Sequence, residues 1–236
     1  MNKPKIKHFY AIIIIIGSSM IAMKSKSQDF RLGFKANPLF SNLKPSSDNH
    51  DNVSTRLGFS YGLIFDYFLK ENYAIETEFG ISSMGGKVQY SKGDTTITSS
   101  VKMNYVEVPI SIKLLTAEIK PNLKVYGKFG VNLGFSTKTS AEVVYKKGTT
   151  EFANDDIKNA NKYIQPFNVS LLMGAGVEYN IAKNLDLMLG FSYANGFFNT
   201  MKTSSLYRSS TIASSTNIKP FDADLNYLCV NIGLLF

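Results

Sequence analysis

The sequence predicts an all-β fold: an eight-stranded antiparallel transmembrane β-barrel, laid out as an up-and-down meander. Three observations predict it. Runs of two-residue alternation recur along the chain, with apolar side chains on one face and polar or small ones on the other. The connections between these runs alternate short and long. The apolar face carries no charge. The pair 165–181 and 184–195 is the clearest instance. Val169, Leu171, Met173, Ala175, Val177, Tyr179 and Ile181 share a face, and Asn168, Ser170, Leu172, Gly174, Gly176, Glu178 and Asn180 share the other. Leu185, Leu187, Leu189, Phe191 and Tyr193 repeat the pattern after Ala182-Lys183-Asn184, which makes a hairpin.

Residues 1–27 read as a secretory signal peptide cut before Gln28, leaving residues 28–236 as the barrel domain. Lys3, Lys5 and Lys7 precede the apolar run Phe9–Met23, and Ser25-Lys26-Ser27 puts small residues at the cleavage positions. The rival reading is a membrane anchor, but the run has 15 residues, short of the ~20 a spanning helix needs. This segment holds five lysines and no acid, so residues 28–236 keep 21 basic and 18 acidic residues, a balance of +3 against +8 for the whole chain. That balance removes the support for a nucleic-acid partner. Cys229 is the single cysteine, so no internal disulfide is expected.

The eight strands are expected at 29–38, 54–69, 72–84, 101–115, 122–137, 165–181, 184–195 and 224–236. Their apolar faces are the alternate residues of Phe30–Ala36, Leu57–Leu69, Tyr73–Ile81, Val106–Leu114, Leu123–Phe135, Phe167–Ile181, Leu185–Tyr193 and Leu228–Phe236. Of these 46 positions none is charged, and only Thr77 and Gly127 are not hydrophobic. The opposite face collects Arg31, Lys35, Asp66, Glu76, Glu78, Glu107, Lys113, Lys124, Lys128, Glu178 and Asp186, five basic and six acidic residues. Gly62, Gly80, Gly176, Gly190 and other glycines share it, leaving room for long neighbours to lie across the sheet.

Short connections are expected at Lys70-Glu71-Asn72, Glu118–Pro121 and Ala182–Asn184, and long loops at 39–53, 85–100, 138–164 and 196–223. Short turns at one end, long loops at the other and an even strand count match an outer-membrane barrel with both termini on the periplasmic side. Hydrocarbon offers no partner to backbone N–H and C=O groups, so a sheet persists there only if it closes. A soluble sandwich with the apolar face buried is the alternative that alternation alone leaves open. A last strand ending in the aromatic Phe236 favours the barrel and implies handling by a barrel-assembly machinery.

An eight-stranded barrel is just wide enough for side chains to fill, so the eleven inward charges are expected to pair as a structural plug. The functional alternative is a polar pore that selects solutes. Pro109 should bring a bulge or a missing hydrogen bond, because proline cannot donate to the ladder. His50, flanked by Asp48 and Asp51, is the one histidine outside the first 27 residues. Hydrolysis would need it as a base, but the stretch Ser46–Asn52 reads as a solvated polar loop. Asn154-Asp155-Asp156 reads as turn chemistry. No zinc spacing, phosphate loop or dinucleotide fingerprint occurs, and no cofactor or metal is expected. In 200–216, ten of seventeen residues are Ser or Thr, the composition of an extracellular loop.

Ser41-Asn42-Leu43, Tyr105-Val106-Glu107-Val108-Pro109-Ile110, Val125-Tyr126-Gly127-Lys128-Phe129-Gly130 and Met173-Gly174-Ala175-Gly176-Val177-Glu178-Tyr179 resemble the PorT-type outer-membrane β-barrel proteins of the Bacteroidetes. The Tyr-x-Glu-x-Pro stretch is the most specific of these. The resemblance implies an outer-membrane location, a small barrel, and an association with type IX secretion and gliding. The expected function is non-enzymatic: a structural or accessory role in envelope assembly or export, with outer-membrane lipid and envelope proteins as partners. The alternative is a small-solute channel.

Overall fold

The computed structural model describes residues 30–45, 50–202 and 222–236. The expected signal peptide, Asp48 and the hydroxylic residues from Thr203 to Thr216 lie outside the described residues. Among the described residues nine strands form: β1 Phe30–Pro45, β2 His50–Lys70, β3 Tyr73–Lys92, β4 Thr95–Leu115, β5 Leu123–Lys147, β6 Thr150–Ile157, β7 Phe167–Ala182, β8 Leu185–Asn199 and β9 Ala223–Leu235. All pairings are antiparallel, and they close the ring β1-β2-β3-β4-β5-β7-β8-β9 on itself. Eight strands make the barrel. The ninth, β6, pairs only with the far end of β5 among the described strands, outside the ring.

The seam between first and last strands is closed by backbone bonds and a ring contact. Phe236 N–H donates to the Leu32 carbonyl at 2.8 Å, and Leu32 N–H returns a bond at 3.1 Å. The rings of Phe34 and Phe236 lie 5.7 Å apart. Pro38, which has no N–H, sits where β1 and β9 lose their regular pairing, and the Asn37 side-chain oxygen accepts the Ile232 N–H at 2.9 Å. A side chain thus satisfies a donor that the broken ladder leaves over.

The apolar faces point outward. Ile110, Val131 and Leu189 are 44%, 39% and 42% exposed, with Phe79, Phe129, Phe191 and Leu234 beside them on the same outer wall. Among the described residues no helix is long and apolar enough to cross a membrane; the strands carry this belt.

Two of the expected long loops are largely strand. β3 continues to Lys92 and β4 begins at Thr95, with Gly93-Asp94 between them; β5 continues to Lys147 and turns at Gly148-Thr149 into β6. Gly93 and Gly148 both have φ +57°, the left-handed value that the first position of a II′ hairpin turn requires. β1 likewise extends to Pro45 and β2 starts at His50. A membrane-spanning strand needs ~9–11 residues, whereas β4 has 21. The excess is about ten residues, ~30 Å along the strand at ~3.3 Å each.

These extensions invert the pattern read from the sequence. Within the belt, apolar side chains face out; beyond it they face in. On β4 the inward series runs Lys113, Ser111, Pro109, Glu107, then Tyr105, Met103, Val101, Ser99 and Ile97, all buried, with exposed or half-exposed residues between them on the outer side. On β5 the change of face is built by a bulge. Tyr105 pairs with Ser136 and Asn104 with Lys138, so Thr137 has no opposite number. Inward residues are even-numbered before it and odd-numbered after it, which turns Ala141, Val143 and Tyr145 into the interior. The expected irregularity at Pro109 is of another kind. Pairing with β3 lapses between Thr77–Ile110 and Gly80–Glu107 without a register shift, and Thr77 Oγ1 donates to the Pro109 carbonyl at 3.1 Å.

Candidate functional site: the filled lumen

Closing the ring brings seven strands' charges into one space. Arg31 and Lys35 come from β1, Asp66 from β2, Glu76 and Glu78 from β3, Lys113 from β4, Lys128 from β5, Glu178 from β7 and Asp186 from β8. Arg31 reaches Asp66 Oδ2 at 2.7 Å, Glu178 Oε2 at 2.8 Å and Asp186 Oδ2 at 2.7 Å. Lys113 Nζ lies 3.0 Å from Asp66 Oδ2, 2.8 Å from Glu76 Oε2 and 2.7 Å from Glu178 Oε1. Lys128 Nζ joins Glu76 at 2.6 Å to Glu78 at 2.9 Å, and Lys35 pairs with Glu78. The result is one continuous network of nine side chains. Its centre is dry: Lys113, Asp66 and Glu76 have no exposure.

Register sets Arg31 opposite Asp66 and Lys124 opposite Glu178, but two of its direct pairs are repulsive. Asp66 stands directly opposite Glu76, and Lys113 opposite Lys128, and like charges opposite one another destabilise a sheet. The long arms resolve this by pairing across the lumen instead. A buried ion is tolerated only when paired and hydrogen-bonded, and each of these acids faces at least one cation.

Aromatic rings and glycines complete the packing. Lys113 Nζ sits 5.1 Å from the centre of the Tyr126 ring, and Arg31 lies 5.2 Å from that of Phe68. Tyr126 reaches across two strands to the facing pair Gly176 and Gly190. A Cβ at Gly190 would lie 2.5 Å from the Tyr126 hydroxyl, and one at Gly176 2.7 Å. The Leu189 and Ala175 carbonyls stand equally near, 2.3 Å from a Cβ at Gly176 and 2.5 Å from one at Gly190, so a side chain at either glycine must shift backbone as well as the ring. Ile64, Leu115, Met188 and Leu235 fill the remaining space at the turn end.

Two of the eleven charges read from the sequence stand apart. Glu107 makes no ion pair with a described residue; it accepts hydrogen bonds from Ser82, from Asn132 and, at 3.0 Å, from the Tyr227 hydroxyl. Lys124 is half-buried, makes no ion pair with a described residue, and lines an open basin of about 590 Å³ at the turn end with Lys70, Glu71 and Glu118. It stays out of the plug because it lies nearest the mouth, where water solvates its amine. Ser82, Asn132 and Tyr227, with the Asn37–Asn231–Ser192 set, form a neutral polar layer that a search for charges passes over. Their inward parity was the available signal.

Beyond this layer the lumen is apolar. Leu39, Leu43, Met84, Val88, Ile97, Val101, Met103, Tyr105, Val143, Tyr145 and Leu225 form one buried cluster. The turn Asn161–Tyr163 folds against it, held by Ala160 N–H on the Thr139 carbonyl and by the Asn161 side chain. Between network and apolar core, a cavity of about 20 Å³ touches Lys35, Glu78, Glu107 and Tyr227, room for about one water molecule. Asp51 is exposed, and Asn154 of the Asn154-Asp155-Asp156 stretch donates to Glu142 at 3.2 Å. Among the described residues no group of three His, Cys, Asp or Glu is placed to hold a metal.

An outward apolar belt on a closed sheet, with the charges at belt level turned into the lumen, defines a transmembrane β-barrel. The chain belongs to the outer membrane protein β-barrel domain family, whose model matches residues 24–202. Among solved structures it is similar to OprG from Pseudomonas aeruginosa (12% identity, 88% of this chain and 96% of that one, TM-score 0.46). It is also similar to Neisserial surface protein A (14%, 87% and 95%, 0.45) and to a major outer membrane protein from Thermus thermophilus (10%, 88% and 98%, 0.45). No curated protein sequence matches it.

Proposed function

We propose that this chain is a non-catalytic, non-conducting barrel whose work is done at its ends: a structural or accessory component of envelope assembly or export. One observation carries the reading. The lumen is blocked twice, by the nine-membered ion network and by the apolar cluster above it. Short turns at one end and long hairpins at the other support a periplasmic turn end, with both termini there, and hairpins that face outward from the cell. The resemblance to PorT-type barrels supports type IX secretion as the process, and Phe236 on the lipid-facing side of the seam supports recognition by a barrel-assembly machinery.

Planar-bilayer recording of the refolded protein tests the blocked lumen. The expected result is no steady conductance. Steady ion-selective openings that change with Lys128→Gln or Glu107→Gln would replace this reading with a small-solute channel. Loss of the protein from the cell should reduce export of secreted proteins while general envelope permeability stays unchanged; unaffected export would remove the secretory role.

A further inference from the structure

The outer wall is not uniform just beyond the belt. Lys87 on β3, Lys102 on β4 and Lys138 on β5 are all exposed, and each is flanked along its strand by buried inward residues or by the bulge. The register sets them on one diagonal. Lys87 pairs with Ser100 while Lys102 pairs with Gly85 on one side and Ser140 on the other, and Lys138 pairs with Asn104. Diagonal neighbours on one face stand about 7–8 Å apart, within reach of one another's flexible arms. None of the three makes an ion pair with a described residue. Their neighbours on that face include Ser83, Ser100, Asn104 and Ser140; the exposed acids there are Glu142, a diagonal neighbour of Lys102 that accepts a hydrogen bond from Asn154, Asp156 opposite Glu142, and Asp51, which pairs with Gln89 a diagonal step from Lys87.

Directly below the diagonal lie Ile81 and Phe135, 42% exposed each, and the Phe135 ring meets Phe167 edge-on at 5.0 Å. The diagonal therefore starts at the edge of the lipid-facing surface with Lys138, three residues past Phe135, and climbs away from it through Lys102, four past Val106, to Lys87, six past Ile81. The far side of the barrel differs: there β9 carries Asp224 opposite Lys44, and Asn226 faces Asn42 and Asn195.

We propose that Lys87, Lys102 and Lys138 form a binding surface for the phosphate groups of a phosphorylated lipid headgroup in the leaflet on the long-hairpin side. The occupant is a lipid because the basic diagonal is continuous with the apolar belt: acyl chains lie along Ile81, Val106 and Phe135 while the headgroup phosphate meets the amines. The three amines make no ion pair among the described residues and lie on one face, and each lysine near a membrane surface strengthens anionic lipid binding several-fold. The inference rests on the membrane-spanning reading and adds a ligand to it.

The test is native mass spectrometry of the full chain in neutral detergent, with bisphosphorylated lipid A, the same lipid lacking its phosphates, and inorganic phosphate as probes. The bisphosphorylated lipid should be retained at about tenfold lower concentration than the dephosphorylated one. The Lys87→Gln/Lys102→Gln/Lys138→Gln variant should lose that preference, while Lys70→Gln/Lys183→Gln at the turns should keep it. Equal retention of both lipids, an unchanged preference in the triple variant, or inorganic phosphate displacing the lipid at equal concentration would overturn the proposal. Membrane insertion of the triple variant is read separately, by protease protection in vesicles: insertion with lost preference supports the site, whereas failure of the wild-type chain to insert would fall on the barrel reading itself.

Discussion

The two halves of the lumen obey opposite rules. Near the short turns the barrel is greasy outside and charged inside; along the extended hairpins it is polar outside and greasy inside. Asp66, Glu76 and Lys113 stand for the first half, and Val101, Met103 and Tyr145 for the second. The difference teaches that the surrounding solvent, not the sheet, decides which parity is apolar. Where hydrocarbon surrounds the wall, outward charges are costly, so polarity is driven inward and must neutralise itself there. Where water surrounds the wall, the hydrophobic effect works as in any soluble protein. The same strands, β3, β4 and β5, pass from one regime to the other within a few residues.

The largest expected effect comes from breaking the charged half. Lys113→Met keeps bulk but leaves Asp66, Glu76 and Glu178 short of a cation, and should cost about 3–5 kcal/mol. Urea unfolding of the protein refolded into vesicles measures it; a loss below 1 kcal/mol, roughly the worth of an exposed pair, would mean the network is wet.

Met103→Ala in the apolar half should cost about 2–5 kcal/mol as a truncation in a packed core. The damage should be confined. Proteolysis should become faster within the β3–β4 and β5–β6 hairpins, while the membrane-embedded fragment stays protected. Global unfolding at an unchanged rate of hairpin cleavage would show that the halves are one cooperative unit.

Gly190→Leu sharpens the boundary between packing and charge. A side chain there meets the Tyr126 hydroxyl and the Ala175 carbonyl, each 2.5 Å from the new Cβ, and should cost about 1–3 kcal/mol. Tyr126→Ala in the same chain should relieve part of that loss, which a double-mutant cycle would read. The smallest effect belongs to the hairpin tip. Gly93→Ala, at φ +57° with nothing within 4 Å, should cost about 1 kcal/mol through backbone strain alone, seen as faster hydrogen exchange at the tip.

The contrast also explains what the sequence made legible. Alternation from Phe30 to Phe236 located all eight barrel strands, because every one has its apolar parity against lipid. It stopped at the belt edge, since a reading tied to one greasy face sees Met84, Val88, Ile97 and Val101 on the wrong parity and takes the stretch for loop. Gly93-Asp94 and Gly148-Thr149 were the local signals of hairpins there. The bulge at Thr137 had none: it is one unpaired residue in a polar run, fixed by the register of two strands. The inward charges were legible by parity, but their partners were not. Adjacent strands set Asp66 against Glu76 as well as against Arg31, and only ring closure brings Arg31 to Glu178 and Asp186. Glu107 found Asn132 and Tyr227, neutral residues with no claim on attention until the wall is closed.

Site-directed nitroxide labels in a Cys229→Ser background, placed one at a time at Ile110, Val131 and Leu189 and at Val101 and Met103, test the central claim most directly. Collision with oxygen and with a water-soluble nickel chelate is read in vesicles. The account predicts that the first three collide freely with oxygen and hardly with nickel, as lipid-facing sites do, and that the last two are shielded from both. Labels at Ile110, Val131 and Leu189 that were shielded from both reagents, or open to nickel, would contradict it.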